Sequence, residues 1–177
     1  MNFPKIVKNE VVFTGQRVTI RHDQIQIAPG EVVHREIVGS HDSVAIVALD
    51  QNEDILLVRQ FRFPVSTSLL EIPAGTIEPG EAPLQCAERE LREETGYAAG
   101  EMIPIGDFWT TPGFCTERMY VFLATQLRED PLPADPDEFI QLERMPFDEA
   151  LREASTGGFH DAKTIASLFL AKKRLAK

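Results

Sequence analysis

The chain has 177 residues, which is enough for one domain with a substantial core and a small appendage. It carries 28 acidic and 18 basic residues, and the resulting net charge of −10 argues against nucleic acid or an anionic membrane as the main partner. It does not argue against a phosphate substrate, because a site that holds divalent cations gathers acids and binds anions through the metal.

Cysteine usage and hydropathy indicate where the protein acts. Cys86 and Cys115 are too few for a disulfide framework, and neither has a second cysteine or a histidine at zinc-ligand spacing. The first ten residues lack the apolar stretch of a secretory signal, and no apolar run approaches the roughly 18 residues of a membrane span. We therefore expect reduced thiols and a cytoplasmic protein.

The first 40 residues predict a small antiparallel sheet, which we separate from a main domain over residues 41–177. Three strand-like runs lie in this segment, and the middle one, Arg17–Ile27, alternates apolar and polar residues as a half-buried strand does. Turn sequences at Thr14-Gly15 and 28–31 divide the runs. The predicted strands are Glu10–Phe13, Arg17–Ile27 and Val32–Val38.

From Ser43 onward, strands mixed with helices favour α/β (α+β) packing around one sheet system. Residues 83–95 predict a helix, since Pro83 suits its first turn and Gly96 its exit. The Pro- and Asp-rich residues 128–137 predict a loop. The other predicted elements are strands at Val44–Leu49, Ile55–Phe61, Leu69–Ile72, Met102–Phe108, Met119–Thr125 and Phe139–Arg144, and helices at Phe147–Ala154 and Asp161–Leu175.

The helix at 83–95 places three carboxylates on one face. At about 100° per residue, Glu94 lies about 40° and Glu93 about −60° from Glu90. A solvated acidic face is the ordinary interpretation. However, like charges four residues apart repel, and acids near a helix C-terminus oppose its dipole. A divalent cation with oxygen ligands removes both costs, so metal binding is favoured. The adjacent stripe expected to pack on the sheet is Leu84, Ala87 and Leu91.

Residues 75–97, GTIEPGEAPLQCAERELREETGY, resemble the Nudix hydrolase signature G-x5-E-x7-R-E-U-x-E-E-x-G-U, where U is a bulky aliphatic residue. Tyr97 at the last position is the only departure. The resemblance implies an α/β/α sandwich with a mixed sheet and a pyrophosphohydrolase activity. The matching residues are Gly75, Glu81, Arg89, Glu90, Leu91, Glu93, Glu94 and Gly96.

The same resemblance implies a Mg²⁺ site, with Mn²⁺ as the alternative metal. Glu90 and Glu94 would be the principal ligands, with Glu93 close behind. The carbonyl of Ala74 would add a ligand from the preceding loop. Glu81 would contact the ligands of this metal without binding the metal itself, or it would bind another metal. Arg89 would orient one of the glutamates, or be an ordinary surface ion pair.

Pro112, fifteen residues beyond Tyr97, resembles the mark of the ADP-ribose pyrophosphatase subgroup, although a Pro-Gly turn is common in itself. Further resemblance extends over nearly the whole chain. It implies hydrolysis of ADP-ribose and related nucleoside diphosphate sugars to AMP (NMP) and a sugar phosphate. A GDP-mannose or broad nucleotide-sugar pyrophosphatase, a regulatory Nudix-like module and a hydrolase of mutagenic nucleotides remain alternatives. The further matching segments are 34–38, 59–62, 70–75 and 161–164.

Arginines are the first candidates for substrate contacts, because a guanidinium suits planar or bidentate recognition of phosphates. Arg35 and Arg62 could clamp phosphates or stack near the base, or be surface residues. Arg17 lies where similar enzymes often place an aromatic that stacks on adenine, so looser base recognition is expected. Glu117 could face the ribose or the metals. The expected substrate contacts are Arg17, Arg35, Arg62, Pro112, Gly113 and Glu117.

The general base is expected outside the helix, because metal occupies the helix carboxylates. Glu138, on an acidic loop just before a strand, is the first candidate, with Asp135 and Asp137 as alternatives. A homodimer is also expected, because strands at residues 10–38 cannot bury both faces alone. Similar enzymes swap this sheet between subunits, so Arg35 would serve the neighbouring site or line the shared interface.

Overall fold

The computed structural model describes residues 3–133 and 139–176. The chain forms two compact units. The first contains Met1–Asp42 and Trp109–Arg118, and the second contains Ser43–Phe108 and Met119–Lys177. The predicted division after residue 40 lies two residues before this boundary and did not place the segment 109–118 in the first unit. Both cysteines are free.

The first unit is built on a three-stranded antiparallel sheet of order β1-β2-β3. Its first strand begins five residues before the prediction, because Lys5 still pairs with Gln26 of the second strand. The segment 109–118 joins this unit through Val38, whose N–H donates to Phe114 O at 2.7 Å and whose carbonyl accepts from Thr116 N at 3.0 Å. The strands are β1 (Lys5–Thr14), β2 (Val18–Ala28) and β3 (Glu31–Ser40).

The second unit contains a seven-stranded mixed sheet. Its main path is β10-β5-β4-β9-β8, with β6 on β5 and β7 on β4. The central strand β4 pairs in parallel with β9 and antiparallel with β5 and β7. The strands are β4 (Ser43–Leu49), β5 (Asp54–Arg62), β6 (Thr67–Glu71), β7 (Ala74–Thr76), β8 (Tyr97–Trp109), β9 (Arg118–Glu129) and β10 (Ile140–Pro146).

Helices cover both faces of this sheet. Successive side chains of a strand point to opposite faces, and β4 shows it directly. Ala45, Val47 and Leu49 join one core cluster with the second and third helices, whereas Val44, Ile46 and Ala48 join another with the first helix. The expected α/β/α sandwich is confirmed. The helices are α1 (Pro83–Thr95), α2 (Phe147–Thr156) and α3 (Ala162–Leu175).

Several local expectations need correction. Leu84 does not pack on the sheet: it is 43% exposed, because the buried face of α1 begins one turn later, at Cys86 and Ala87. The short strand β7 was not predicted, and β8 and β9 extend beyond their expected ends. The loop predicted from Arg128 begins only after Glu129. Between residues 3 and 133 and between 139 and 176, no helix is long and apolar enough to cross a membrane.

Candidate active site

Helix α1 brings the predicted acids together because its ends and one face are fixed locally. Proline fits the first turn at Pro83, where an N–H would have no partner in the helix. Gly96 ends the helix in the left-handed region, at φ 78°, and its N–H donates to Arg92 O at 3.1 Å. Cys86, Ala87 and Leu91 are fully buried against the sheet, which orients the opposite face.

Arg89 gathers three carboxylates around one guanidinium. Its Nη1 donates to Glu90 Oε1 at 2.7 Å and to Glu93 Oε2 at 2.9 Å. Its Nε and Nη2 donate to the two oxygens of Glu81 at 2.9 and 3.0 Å. Glu90 and Glu94 are only 9% and 8% exposed. We call the set of Glu81, Arg89, Glu90, Glu93 and Glu94 the acidic cluster.

Electrostatics favour the charged forms of Glu81 and Arg89 in this cluster. Hydrogen bonds from Arg89 lower the pKa of Glu81 to about 2, although burial opposes the shift. In return, the hydrogen bond to Glu81 is the largest effect that raises the pKa of Arg89, and its partial burial opposes it. The acidic cluster therefore contains four acids and one base, and its two most buried acids, Glu90 and Glu94, are mostly shielded from water.

The loop before the acidic cluster approaches it closely. A Cβ at Gly75 would collide with the Glu90 carboxylate, so any larger residue there would have to displace that side chain. The N–H of Ala74 donates to Glu94 Oε2 at 2.9 Å. The carbonyl of Pro73 accepts from Ile46 N at 2.8 Å. The backbone at 73–75 therefore lies against the two most buried glutamates of the cluster.

The donor set fits a divalent cation in its chemistry. Carboxylate and carbonyl oxygens are the ligands that Mg²⁺ and Mn²⁺ prefer. The glycine cradle leaves the Glu90 carboxylate accessible from the loop. Within residues 3–133 and 139–176, no three acid, histidine or cysteine side chains already form a metal cage. Three of the four carboxylates instead turn toward the cationic guanidinium of Arg89.

Arg62 makes a different contact from the expected substrate clamp. Its Nε and Nη2 donate to the two oxygens of Glu71 at 2.8 and 2.6 Å. Glu71 is 1% exposed and also contacts Lys163, whose Nζ lies 2.9 Å from Asp161 Oδ2. We call the set of Arg62, Glu71, Asp161 and Lys163 the balanced cluster, since two acids face two bases.

Sequence reasoning missed the balanced cluster. The segments 70–75 and 161–164 were noted only for their resemblance to the subgroup. The available signal was Glu71 itself, a charged residue inside the apolar run Leu69–Ile72. A charge in a buried strand requires a partner, and the structure supplies it from Arg62 and Lys163.

The remaining predicted contacts lie in the first unit. Arg35 is exposed and donates to its neighbour's carbonyl, His34 O, at 2.8 Å. Arg17 is exposed and lines a cavity of about 260 Å³. Pro112 and Gly113 are exposed in a turn, and Glu117 Oε2 accepts from Thr110 Oγ1 at 2.8 Å. Glu138, Asp135 and Asp137 lie outside the residues that the structure describes.

The comparisons with known proteins decide the family. Residues 39–168 match the model of the NUDIX domain. The chain belongs to the NUDIX family. Members of this family generally depend on a divalent metal.

Relatives of this NUDIX chain differ in their names. An ADP-ribose pyrophosphatase of Bacillus subtilis is 37% identical over 90% of this chain and 88% of its own. A methanol dehydrogenase activator of Bacillus methanolicus is also 37% identical, over 93% and 90%. A GDP-mannose pyrophosphatase of Pectobacterium atrosepticum is 34% identical over 76% and 74%. These matches support a NUDIX pyrophosphohydrolase that acts on nucleoside diphosphate compounds.

A solved structure confirms the NUDIX fold over the full length. The chain resembles the crystal structure of an ADP compounds hydrolase with a TM-score of 0.87, over 99% of this chain and 96% of that one. The sequences are 22% identical, so this likeness concerns the fold.

Proposed function

We propose that this NUDIX protein hydrolyses the pyrophosphate bond of ADP-ribose and related nucleoside diphosphate sugars with Mg²⁺. ADP-ribose would give AMP and ribose 5-phosphate. The observation that carries the proposal is the complete acidic cluster, held against the glycine cradle of Gly75. The relatives named ADP-ribose pyrophosphatase and GDP-mannose pyrophosphatase support the substrate class.

Glu90, Glu94 and the Ala74 carbonyl would hold the metal, with Glu93 and Glu81 beside them. The bound metal would neutralise charge on the phosphoryl oxygens and lower the pKa of a bound water. Mn²⁺ is the alternative metal. Arg89 would orient Glu81, Glu90 and Glu93 through the hydrogen bonds that it makes to them.

Glu138 would accept the proton from the attacking water, with Asp135 and Asp137 as alternatives. Arg62 would contact a phosphate with its Nη1, the one guanidinium nitrogen that takes no part in the pair with Glu71. Arg35 and Glu117 would contact phosphate and ribose, and Pro112 and Gly113 would shape the turn beside them. Arg17 would stack on the base through its guanidinium plane.

The protein would act as a homodimer with a swapped N-terminal sheet. All of β1 is exposed, and its apolar side chains lie on both faces of the strand. An apolar strand of this kind favours burial against a second copy. Light scattering is expected to give a particle of about twice the 19.8 kDa chain. A 19.8 kDa particle at working concentrations would refute the dimer. The dimer would work in the cytoplasm, without nucleic acid or membrane as partner.

Two other functions stay open. The GDP-mannose pyrophosphatase relative favours a broader nucleotide-sugar hydrolase. The methanol dehydrogenase activator relative favours a regulatory role. Base preference is expected to be loose, because the residues after the first turn, Gly15 to Val18, include no aromatic that could stack on adenine.

The test is turnover of ADP-ribose, GDP-mannose, UDP-glucose and NADH with Mg²⁺, measured as phosphate release after phosphatase coupling. We expect ADP-ribose to be cleaved well and other sugars within about tenfold to a few hundredfold in kcat/KM, which corresponds to roughly 1.4–3.5 kcal/mol. A preference beyond about ten-thousandfold would show a dedicated adenine pocket. No turnover of any of the four would contradict the hydrolase proposal and leave the regulatory role.

A further inference from the structure

A fully buried threonine connects the last helix to the loop that precedes the acidic cluster. Thr164, in the first turn of α3, has no exposed surface. Its Oγ1 accepts from Ile72 N at 3.0 Å and donates to Asp161 Oδ2 at 2.5 Å. The hydroxyl hydrogen is therefore committed to Asp161, and the oxygen lone pairs face the loop.

Three different elements hold the backbone at residues 72–74, and strand β4 also pairs with Ala74 through Ala45. Helix α3 holds Ile72 through Thr164, strand β4 holds Pro73 through Ile46 N, and helix α1 holds Ala74 through Glu94. The Thr164 contact is the one that comes from outside the sheet and the acidic cluster. It acts two residues before the Ala74 carbonyl.

The balanced cluster keeps Thr164 in place. Asp161 caps α3 by accepting from the Thr164 backbone N–H at 3.0 Å as well as from its hydroxyl. Lys163 contacts both Asp161 and the buried Glu71, and Glu71 ends strand β6 directly before Ile72. The start of α3 and the loop at 72–74 are thus joined by charge-assisted contacts on one side and the Thr164 hydroxyl on the other.

We propose that Thr164 is a positioning residue for the metal site, and that its hydroxyl fixes the loop which presents the Ala74 carbonyl. Asp161 and Lys163 support it by fixing the hydroxyl. The inference rests on the proposed function in so far as Ala74 and Glu94 hold the metal. Residues behind a metal ligand typically change metal affinity or activity about 10- to 100-fold when they are altered.

The decisive variant is Thr164→Val, which keeps the shape of the side chain and the backbone N–H that Asp161 caps, but removes the hydroxyl. Thr164→Ser retains the hydroxyl and is the rescue variant. Ser167→Ala is the matched control: Ser167 Oγ is a buried hydroxyl one turn further along α3, without a hydrogen-bond partner in the part of the chain that the structure describes. Ile55→Val controls for a mild loss of core packing elsewhere in the sheet.

The first readout is Mn²⁺ binding to the full-length protein by titration calorimetry, without substrate. We expect Thr164→Val to raise the Mn²⁺ dissociation constant by about tenfold or more. The three other variants, Thr164→Ser, Ser167→Ala and Ile55→Val, should bind Mn²⁺ within about twofold of the wild type, which is well below the tenfold change expected for a disturbed metal site. A Thr164→Val protein that binds Mn²⁺ within twofold of the wild type would overturn the proposal, as would a Thr164→Ser protein that is as weak as the valine variant.

The second readout is the Mg²⁺ dependence of kcat for ADP-ribose. Thr164→Val should require higher Mg²⁺ to reach half of its maximal rate, and added Mg²⁺ should recover most of kcat. A loss of kcat that Mg²⁺ does not recover would mean a structural role and overturn the proposal. If the wild-type protein binds Mn²⁺ but hydrolyses no substrate, the proposed function fails, whereas the binding comparison still decides the role of Thr164.

If Thr164→Val does not fold, Lys163→Met tests the same arrangement, because it keeps Thr164 and removes the charge that holds Asp161, the acceptor of the Thr164 hydroxyl. Its Mn²⁺ affinity should fall by several-fold, with Lys163→Arg closer to the wild type. Unchanged affinity in a folded Lys163→Met protein would overturn the proposed support of the loop by the balanced cluster.

Discussion

The acidic cluster and the balanced cluster lie in the same unit, and both pair arginine with buried glutamate. The two clusters differ in the ratio of acidic to basic side chains. In the balanced cluster two acids face two bases, and the most buried carboxylate, Glu71, contacts both bases. The acidic cluster has four acids and one base: Arg89 pairs with three of them, whereas Glu94 accepts from Ala74 N, and Glu90 and Glu94 are both buried.

The difference is between a structural ion-pair network and the site at which we propose that a further cation binds. Removing carboxylates from water is costly unless partners of opposite charge replace the water. The balanced cluster supplies those partners within the chain. The acidic cluster contains four acids and one base, so its acids stay in excess, and the proposed divalent cation would supply further positive charge there. The comparison therefore predicts opposite consequences when one carboxylate of each cluster is neutralised.

The largest expected effect is on stability, at Glu71. Glu71→Gln leaves Arg62 and Lys163 without their shared carboxylate, and removing one partner of a buried pair costs about 3 kcal/mol or more. Urea unfolding should show the loss as a lower midpoint with an unchanged slope. A midpoint equal to that of the wild type would mean that the balanced cluster contributes nothing to stability.

Glu71 should also make the stability of the folded protein depend on pH. Burial disfavours the ionised carboxylate, but hydrogen bonding from Arg62 and the charge of Lys163 hold the pKa of Glu71 below its ordinary value of 4.5. The folded state therefore releases this proton more readily than the unfolded state. The stabilisation is complete above about pH 4.5 and is lost as pH falls through the folded-state pKa. Between pH 5 and 2, wild-type stability should fall more steeply than that of Glu71→Gln.

Neutralising the acidic cluster should affect turnover and not stability. Glu94→Gln removes a proposed metal ligand and should lower kcat about 100-fold or more, which corresponds to about 2.7 kcal/mol. Its urea midpoint should equal or exceed that of the wild type, because repulsion among the acids decreases. Glu88→Gln is the control, since Glu88 is an exposed residue of the same helix. Near wild-type turnover of Glu94→Gln at saturating Mg²⁺ would remove it from the metal site.

The proposed general base, Glu138, belongs to neither cluster, and its neutralisation should affect kcat alone. Glu138→Gln should lower kcat about 100-fold while KM changes little, because a base acts on the reacting proton and not on binding. Glu129→Gln, an exposed acid at the end of β9, is the matched control. Equal activity of the Glu138→Gln and wild-type proteins across pH 6 to 9 would exclude Glu138 from the mechanism.

How far the sequence predicts the two clusters differs for a physical reason. The acidic cluster lies on one helix and the loop before it, so helical periodicity and fixed spacings place Glu90, Glu93 and Glu94 together. The structure then adds the central position of Arg89 and the close packing of Gly75 against the Glu90 carboxylate. Capping by Pro83 and Gly96 was likewise predictable, because both effects are local.

The balanced cluster was not predicted because it depends on contacts between residues far apart in the chain. Glu71 and Lys163 are 92 residues apart, and no periodicity relates β6 to the start of α3. The prediction that Leu84 packs on the sheet was wrong for a similar reason. Its position on the wheel was correct, but the sheet meets the helix only from Cys86 onward. Local pattern gives the face of an element, whereas tertiary packing decides how much of that face is covered.

The smallest expected effect comes from an ion pair with ideal geometry but little burial. Arg59 donates to the two oxygens of Glu143 across β5 and β10, at 2.5 and 3.2 Å, which matches the two-pronged contact of Arg62 with Glu71. The Arg59 and Glu143 side chains are 40% and 32% exposed, however, whereas Glu71 is 1% exposed. Water therefore replaces a lost partner, and Glu143→Gln should cost less than about 1 kcal/mol in urea unfolding.

The Arg59–Glu143 and Arg62–Glu71 pairs share their hydrogen-bond geometry. A larger loss of unfolding free energy in Glu71→Gln than in Glu143→Gln therefore reports the contribution of burial and of the second base, Lys163. A loss at Glu143 as large as that at Glu71 would show that geometry alone, and not charge balance in a dry environment, sets the strength of both.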